Sequence, residues 1–382
     1  MGNIARLPFT EMFEVLQKEW IKDGATDSAT ENIYKGHINQ AYINFLPQLV
    51  NEDYLRRTKH ITTKADYSTG TVDVATSGTT ITSGDTATAW TSALTDGGLL
   101  RVTGKNTVMR VGYSSAITLN LYSLDGATSL TWPEAAVDEG SYLIVHDRYA
   151  LASDFGRMVM DKHENGQAVY YHSSGQRTYL DPLTNAQFNN TFQFTHSTPG
   201  EYTVKKEFAL DDWYLYLNPP PTDAKIIYYD YIPILTNLTE YTTGTCTFAL
   251  STALVGSGTA WSTALDTDAY DYYVRNDADG TGSKSLWFKV STASTATAIT
   301  ITETFTGTTG AGASYTIATV SKYPGGLDRA MMLMAAIMTD PEAAMKEQWM
   351  KLYLMDVQGY STLGAKAILG LMADVKDIYR KK

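Results

Sequence analysis

The feature that most constrains the fold of this chain is an internal duplication of a polar tract, over residues 69–145 and 243–320. Both copies consist mostly of Thr, Ser, Gly and Ala, and four short matches occur in them in the same order. Residues 69–71 match 243–245 (Thr-Gly-Thr), 89–94 match 260–265 (Ala-Trp-[Ser/Thr]-[Ser/Thr]-Ala-Leu), 116–119 match 298–301 (Ala-Ile-Thr-[Leu/Ile]), and 141–144 match 314–317 (Ser-Tyr-x-Ile). The duplication predicts two related modules, called module 1 and module 2, inserted into a different body.

Each module is predicted to be a small all-β domain. Thr and Ser suit a pleated sheet that is half exposed to water, and the Gly residues mark turns between short strands. We expect Trp90 and Trp261 to fill the cores of the two modules. The alternative is a surface on which sugars stack, formed by these residues and Trp287. Cys246, the single cysteine, is interpreted as a small strand residue, and one cysteine excludes an internal disulfide framework.

The two ends of the chain are predicted to be helical. Apolar residues at helical spacing, a capping box at Ser28 and Glu31, and an Asp340-Pro341 helix start support this prediction. The predicted helices cover residues 9–22, 28–46, 328–338, 341–357 and 362–379. We expect their apolar stripes to pack against one another as core.

Between the modules the sequence predicts β structure. Two alternating segments, 213–217 and 226–231, flank an Asn-Pro-Pro-Pro-Thr-Asp turn that no helix could cross, so we predict an antiparallel hairpin. Because aromatic residues are enriched at large interfaces, this hairpin and the basic C-terminal end form the predicted subunit or partner interface. The predicted interface residues are Trp213, Tyr214, Tyr216, Tyr228, Tyr229, Tyr231, Arg380, Lys381 and Lys382.

These elements together predict an α+β fold: a helical bundle body with an antiparallel β hairpin region and two inserted small, sandwich-like all-β domains. The predicted segments are an N-terminal helical part of the body (1–60), module 1 (61–145), a β-rich part of the body (146–242), module 2 (243–320) and C-terminal helices of the body (321–382). A chain of 382 residues is long enough to bury such a core without disulfides.

Charge and apolar patterning argue against several classes of protein. The net charge of −11 argues against binding DNA by neutralising its phosphates. The longest apolar run, over residues 330–338, is about half of what a membrane-spanning helix needs. The first residues lack the apolar core of a secretory signal. We therefore expect a protein that is made in the cytoplasm and stays soluble.

Two loops resemble ligand-binding motifs but depart from them. Residues 98–106 resemble a phosphate-binding loop, yet the glycine spacing is wrong and Asn106 replaces the required Ser or Thr. Residues 275–282 resemble a calcium loop, yet Arg275 occupies the first ligand position and no Glu closes the loop. We interpret the second loop as a hairpin turn and expect no cofactor.

Catalytic patterns are weak as well. No two of the six histidines have the spacing of a helical metal-binding pair. Asp211 and Asp212, or Glu134, Asp138 and Glu139, could supply the two carboxylates of a glycoside hydrolase, but a sequence does not give their separation. We therefore expect a protein that is not an enzyme and holds no metal.

Four motifs of the body carry a family resemblance. After a helical hairpin come Tyr-x-Leu-x-x-Asp-Phe (149–155), Pro-Gly-Glu-Tyr (199–202), Trp-Tyr-Leu-Tyr-Leu-Asn-Pro-Pro-Pro (213–221) and Ile-Ile-Tyr-Tyr-Asp-Tyr-Ile-Pro (226–233), followed by helices rich in Ala and Met. This order resembles the head-to-tail adaptors of short-tailed bacteriophages, also called tail tubular or head-completion proteins. The resemblance covers about residues 1–60, 146–242 and 321–382. The modules are similar to small β modules of phage virion proteins.

The resemblance implies a virion structural protein at the head–tail junction. It implies a ring, commonly of twelve copies, that joins the portal protein to the tail nozzle protein and lines the DNA exit channel, with tail fibres as further possible partners. DNA would pass without specific binding, because an acidic lumen repels it. The basic end at Arg380, Lys381 and Lys382 is either a contact to an acidic portal surface or a solvated terminus.

A second function stays open on the sequence alone: a carbohydrate-binding or receptor-binding phage tail protein that uses its tryptophans as stacking surfaces. A glycan-degrading enzyme is a third alternative. The helical ends favour the adaptor, because receptor-binding fibres are usually β-rich trimers.

Overall fold

A computed structural model of the chain describes residues 6–21, 28–85, 88–159, 168–192, 194, 196–207, 211–280, 286–340 and 346–358. The chain divides into two compact units. Unit 1 contains the described residues up to Leu55 and from Ile234 onward, and unit 2 contains residues Arg56–Pro233. Among the described helices, none is long and apolar enough to cross a membrane.

The helices lie mainly at the two ends of the chain. They are α1 (Phe9–Glu14, continued by a π-helical segment Val15–Ile21), α2 (Ser28–Gln40, continued by a π-helical segment Ala41–Phe45), α3 (Leu46–Leu49), α4 (Ser92–Thr95), α5 (Asn185–Thr191), α6 (Trp261–Ala264), α7 (Asp328–Thr339) and α8 (Lys346–Gln358). The helices predicted over 9–22 and 328–338 are confirmed as far as Ile21 and Thr339, and the one predicted over 28–46 continues through Pro47 to Leu49, because proline is tolerated in the first turn of α3. Helix α8 corresponds to the one predicted over 341–357. The helix predicted over 362–379 lies outside the described residues, as do Arg380, Lys381 and Lys382.

Twenty-four strands form four sheets in the described part of the chain. In unit 2 they are β1 (Arg57–Thr62), β2 (Val72–Val74), β3 (Thr80–Ser83), β4 (Leu99–Val102), β5 (Val108–Ser115), β6 (Thr118–Tyr122), β7 (Val137–Gly140), β8 (Tyr142–Val145), β9 (Arg148–Ala150), β10 (Phe155–Met158), β11 (Val169–Ser173), β12 (Gln176–Tyr179), β13 (Asp181–Pro182), β14 (Glu201–Glu207), β15 (Asp212–Asn218) and β16 (Ile226–Pro233). In unit 1 they are β17 (Glu240–Tyr241), β18 (Thr245–Phe248), β19 (Ala253–Ser257), β20 (Tyr272–Asn276), β21 (Phe288–Thr295), β22 (Ala298–Ile301), β23 (Gly310–Ala313) and β24 (Tyr315–Thr319).

The predicted fold class is wrong, because the protein is mostly β rather than a helical bundle with small β insertions. Module 1 is a seven-stranded sheet and module 2 belongs to an eight-stranded sheet. The rest of unit 2 consists of a five-stranded sheet (β1, β10, β11, β12 and β16) and a four-stranded sheet (β9, β13, β14 and β15). These two sheets form the body: β1 precedes module 1, and the other eight strands lie between the modules. Strands such as β1 (Arg-Thr-Lys-His-Ile-Thr) carry few apolar residues, so their sequences give a weak strand signal.

The predicted antiparallel hairpin is also wrong. Its two strands exist, but β15 pairs with β9 and β14, whereas β16 pairs with β1, β10 and β11. The proline turn therefore connects two sheets instead of two neighbours in one sheet. Apolar side chains of both strands meet in one core, which contains Leu215 and Leu217 from β15 and Ile227, Tyr229 and Tyr231 from β16.

The two modules share one topology, which matches the duplication in the sequence. The strand order of module 1 is β7-β2-β3-β6-β5-β4-β8, and that of module 2 is β23-β18-β19-β22-β21-β20-β24. Strand β17 extends the second sheet beyond β24, and the corresponding place in module 1 is taken by Tyr67, which forms an isolated bridge to Ile144. All of these strand pairs are antiparallel.

Three of the four sequence matches meet in the core of module 1. The indole Nε1–H of Trp90 donates to the hydroxyl of Tyr142 at 3.0 Å, and that hydroxyl donates to the carbonyl of Thr69 at 2.7 Å. All three groups belong to matched segments. Trp90 is fully buried, so its polar atom needs a partner inside the protein.

Module 2 repeats this arrangement with its own residues. Trp261 donates to the hydroxyl of Tyr315 at 3.0 Å, and Tyr315 donates to the carbonyl of Thr243 at 2.6 Å. Both rings are buried. The prediction that Trp90 and Trp261 fill the cores of the modules is therefore confirmed, and neither ring offers a face to a sugar.

The fourth sequence match is out of register by two residues. The carbonyls of Ala116 and Ala296 accept the backbone N–H of the tryptophan in their own module, so these two alanines are equivalent. The equivalent of Ile299, which is 1% exposed, is then Leu119, which is fully buried. Ile117 is 61% exposed and has no counterpart in the second core.

A β-bulge occurs at the same edge position in both modules. In module 1 it places Glu139 at φ 47°, and in module 2 it places Gly312 at φ 65°. A left-handed backbone conformation costs a residue with a Cβ roughly 1–2 kcal/mol, and glycine avoids that cost. The same fold position is thus strained in one module and relaxed in the other.

We expect Glu139→Gly to raise the free energy of unfolding by about 1 kcal/mol and Gly312→Ala to lower it by about 1 kcal/mol. Neither change is masked by packing, because Glu139 is exposed and a Cβ on Gly312 meets no atom within 4 Å. Urea unfolding followed by circular dichroism measures both. The two variants must change the free energy of unfolding in opposite directions. A Gly312→Ala variant that is more stable than the wild type would contradict a left-handed bulge at this position.

The N-terminal segment, residues 6–14, is held by residues that follow it by more than 200 positions, all within unit 1. Arg6 pairs with Asp271 at 3.0 Å, and Pro8 forms a β-bridge to Val320. The backbone N–H of Leu7 donates to the carboxylate of Asp328 at 2.6 Å. The segment continues into α1, which contacts β24 and α7.

A buried ion pair attaches α1 to module 2. The carboxylate of Glu14 accepts two hydrogen bonds from the guanidinium of Arg275, at 2.7 and 2.8 Å. The guanidinium also lies 4.8 Å from the ring centre of Trp287. All three side chains are buried, so Trp287 is no stacking surface for sugars either. A buried charge needs such a partner, because removing one member leaves the other charge desolvated and unpaired.

Candidate functional site

The six aromatic residues of the predicted interface lie on the two facing sheets of the body. Tyr216, Tyr229 and Tyr231 are buried. The hydroxyl of Tyr231 donates to Asp154 at 2.8 Å, and the hydroxyl of Tyr229 accepts the backbone N–H of Ala152 at 2.9 Å. These buried tyrosines contribute to packing within the chain.

Trp213, Tyr214 and Tyr228 are half-buried, so they are the predicted aromatic residues that another molecule can reach. Arg148 covers Tyr214, with its guanidinium 4.9 Å from the ring centre, and Trp213 packs against Phe155 at 5.6 Å. Tyr228 differs from both, because it lies at the centre of a row of aromatic side chains on the outer face of the five-stranded sheet.

The row crosses four adjacent strands. His60 on β1 is paired with Tyr228 on β16, Tyr228 with Tyr170 on β11, and Tyr170 with Tyr179 on β12. Paired residues project from the same face of a sheet, and neighbouring strands lie about 4.8 Å apart, so the row is about 14 Å long. We call these four residues, together with His172 and Arg177, the Tyr228 ladder.

The rings of the ladder are packed against one another. Tyr228 and Tyr170 are stacked, with ring centres 5.4 Å apart and an interplanar angle of 13°. His60 and His172 lie 5.8 and 5.4 Å from Tyr228. Cross-strand aromatic contacts of this kind stabilise a sheet and fix the side-chain positions. The ladder is therefore preformed: Tyr170 is buried, Tyr228 and Tyr179 are half-buried, and His60, His172 and Arg177 are exposed.

One cation and little negative charge accompany these rings. The guanidinium of Arg177 lies 4.7 Å from the ring centre of Tyr170, on the β12 side of that ring. Asp230 is the one acidic residue of the five strands, and it is buried and bound to Arg56 and Thr58. Burial raises the pKa of the Tyr170 hydroxyl above its ordinary value, so the phenol stays neutral.

Tyr170, Tyr179, His60, His172 and Arg177 were absent from the predicted interface. Their signal in the sequence is the alternation Tyr-x-His on β11 and Arg-x-Tyr on β12. That pattern becomes informative only when the register of the strands is known, because four different segments of the chain build one row.

The two loops that resemble ligand-binding motifs are occupied by the chain itself. In the phosphate-loop-like segment, the carboxylate of Glu134 accepts hydrogen bonds from the backbone N–H groups of Asn106 and Thr107, at 3.0 and 2.7 Å. The hydrogen bond from the Thr107 hydroxyl, together with these two backbone bonds, holds the pKa of Glu134 below its ordinary value. A phosphate would have to displace this internal anion.

The calcium-like segment is used for internal contacts in the same way. Asp277 accepts from Thr316 at 2.8 Å and from Arg275 at 3.4 Å, and Asp279 accepts the backbone N–H of Thr308 at 2.7 Å. Residues 281–285 of this loop lie outside the described residues. Among the described residues, no group of three or more His, Cys, Asp or Glu could hold a metal ion.

The remaining titratable candidates are structural or exposed. Burial raises the pKa of the Cys246 thiol to about 12 and lowers the pKa of His146 to about 4. Cys246 pairs with Ala313 at the position where Val72 occurs in module 1, which fits its interpretation as a small strand residue. Asp211 is exposed and pairs with Lys206 at 2.8 Å.

Neither a scan against protein-family models nor a search of the curated proteins finds a match to this chain.

Proposed function

We propose that the protein is a non-enzymatic virion structural protein, a ring-forming head-to-tail adaptor that joins the portal to the tail nozzle and lines the DNA exit channel. The observation that carries the proposal is the Tyr228 ladder, an ordered aromatic surface on the outer face of the body. Interface centres are enriched in aromatic residues and Arg and depleted in Asp, Glu and Lys, and the ladder has this composition.

The geometry also favours a protein partner over a sugar at this surface. Tyr228 lies between His60 and Tyr170, and Tyr170 lies between Tyr228 and Arg177. The ring faces are thus covered within the ladder, whereas a sugar ring stacks on an open face. Edges, hydroxyls and imidazoles are what a second molecule would meet.

Two further observations support the proposal. Motifs that carry the resemblance meet in one core, where Tyr231 bonds to Asp154, stacks on Phe155 at 5.7 Å, and shares the cluster with Tyr202. In addition, the duplication keeps the buried Trp–Tyr–carbonyl arrangement in both modules. Conservation of a packing core between two copies suits a scaffold.

The test is assembly. We expect purified protein mixed with portal protein to form rings in negative-stain images. The aromatic centre of an interface contributes about 2 kcal/mol or more, so Tyr228→Ser should weaken self-association about 30-fold or more in sedimentation experiments.

Two controls make this test specific. Ile117→Ser, an equally drastic change at an exposed apolar residue of module 1, should leave assembly unchanged. Circular dichroism should show that Tyr228→Ser remains folded. A wild-type protein that never associates with itself, with portal or with nozzle protein would contradict the proposed function.

A further inference from the structure

Because the two modules share one fold, the contacts that module 2 makes indicate what the same face of module 1 can bind. Arg275 on β20 is paired with Thr316 on β24, and Arg101 on β4 is paired with Leu143 on β8. Because Tyr315 and Tyr142 are equivalent, the two arginines occupy the same place in the two modules. Both project from the sheet face opposite to the core, since their neighbours Val274 and Leu100 are core residues.

The two equivalent positions differ in what covers them. Arg275 is buried by α1, whose Glu14 forms the two hydrogen bonds described above. Arg101 is exposed, and among the described residues no carboxylate contacts it. Its guanidinium lies 5.9 Å from the ring centre of Phe194.

The two strand neighbours of Arg101 are both apolar. Leu143 on β8 occupies the place that Thr316 has in module 2. Met109 and Phe288 are equivalent, since they pair with the equivalent residues Leu100 and Val274. Val108 therefore occupies the place of Trp287. Leu143 and Val108 are half-buried.

This arrangement, a cation surrounded by apolar side chains, complements a helix that presents a carboxylate on an apolar face. Helix α1 and its continuation bring a buried carboxylate, Glu14, into unit 1 together with buried apolar residues on other sides of the helix, Phe13 and Leu16. An isolated exposed arginine adds little, but a bidentate Arg–carboxylate pair inside an apolar contact fixes both position and orientation.

We propose that the face of module 1 around Arg101 is a docking site for an acidic amphipathic helix of a partner protein, bound as α1 is bound to module 2. The partner's carboxylate accepts two hydrogen bonds from Arg101, and its apolar residues cover Leu143 and Val108. The inference follows from the internal duplication and does not depend on the proposed ring.

A synthetic peptide of residues 6–21, which contains the α1 sequence, is the probe, titrated into the full-length protein by fluorescence anisotropy. We expect saturable binding that Arg101→Glu weakens at least about 10-fold. A peptide with Glu14→Lys should bind the wild type poorly and recover affinity for Arg101→Glu. Such a charge exchange separates a direct contact from a general loss of folding.

Arg157→Glu is the matched control, because it reverses an exposed arginine on β10, in the same unit but outside the Tyr228 ladder and outside module 1, and it should bind the peptide like the wild type. Equal affinity of the wild type and Arg101→Glu would overturn the inference, and so would an absence of binding at millimolar peptide. If rings form with portal while Arg101→Glu binds the peptide normally, the docking site is refuted and the proposed function stands.

Discussion

Replacing Trp261 by alanine is expected to lower the free energy of unfolding by about 3–5 kcal/mol. The indole is fully buried among the apolar residues of module 2 and donates to Tyr315, so its removal leaves a large cavity and takes one hydrogen bond from the core. Trp90→Ala should cost as much, because Trp90 has the same environment in module 1. Urea unfolding followed by far-UV circular dichroism gives both values.

The control for these variants is Leu250→Ala, which removes an apolar side chain that is 72% exposed and should change stability by about 0.5 kcal/mol or less. A loss below about 1 kcal/mol in either tryptophan variant would contradict a core role. A change in glycan binding without a change in stability would restore the sugar-stacking alternative that the buried geometry argues against.

The contribution of two buried carboxyl groups to stability is expected to fall as pH rises from about 5 to about 7.5, because both groups prefer to be protonated in the folded protein. Burial raises the pKa of Glu11 to about 7 and that of Asp328 to about 7. Glu11 faces Arg275, Glu14 and Glu19, and the guanidinium of Arg275 is already bound by Glu14. Asp328 accepts from the backbone of Leu7 and from Ser321 and lies near Arg6.

The sign follows from proton binding. Below the pKa values of the unfolded chain, about 4 to 4.5, both states are protonated and the two groups impose no penalty. Between those values and pH 7 the folded protein binds more protons than the unfolded chain, so each unit of pH removes stability. The loss is complete above the folded pKa and is on the order of 3 kcal/mol for each group.

The double variant Glu11→Gln and Asp328→Asn should remove this dependence. Its free energy of unfolding should exceed that of the wild type at pH 8 and approach it at pH 5. Asp211→Asn, an exposed change, is the control and should leave the difference between the two pH values unchanged. Parallel pH profiles for the wild type and the double variant would show that these carboxyl groups are not the cause.

Local patterns predicted individual elements of this fold better than they predicted its architecture. The duplicated Thr-Gly-Thr, Ala-Trp and Ser-Tyr segments identified two related modules, because each belongs to one Trp–Tyr–carbonyl contact. The Ala-Ile-Thr match aligned the two modules wrongly at this point, because it is displaced by two residues from the structural equivalence. A short sequence identity does not reveal which alanine carbonyl receives the tryptophan N–H, and only that bond fixes the register of the hairpin.

The helical bundle was predicted because the end helices have strong periodic patterns and the body strands have weak ones. The hairpin was predicted because a proline-rich turn shows where a chain reverses but not whether the next strand joins the same sheet. Among the predicted interface residues, sequence could not separate buried Tyr229 and Tyr231 from half-buried Tyr228. Strand alternation assigns Tyr228 to the other face, but it does not say which face is covered.

The discontinuity of unit 1 has a consequence for how the protein is made. Residues Arg56–Pro233, which contain all the strands of unit 2, leave the ribosome before β17 and α7 are made. Glu14, by contrast, must wait for Arg275, 261 positions later, and Leu7 must wait for Asp328. At about 5–20 residues per second, α1, which is buried in the folded protein, is without its partner surface for roughly 15–50 s of synthesis. This nascent helix is where a holdase chaperone would act, and where truncated products of translation would aggregate.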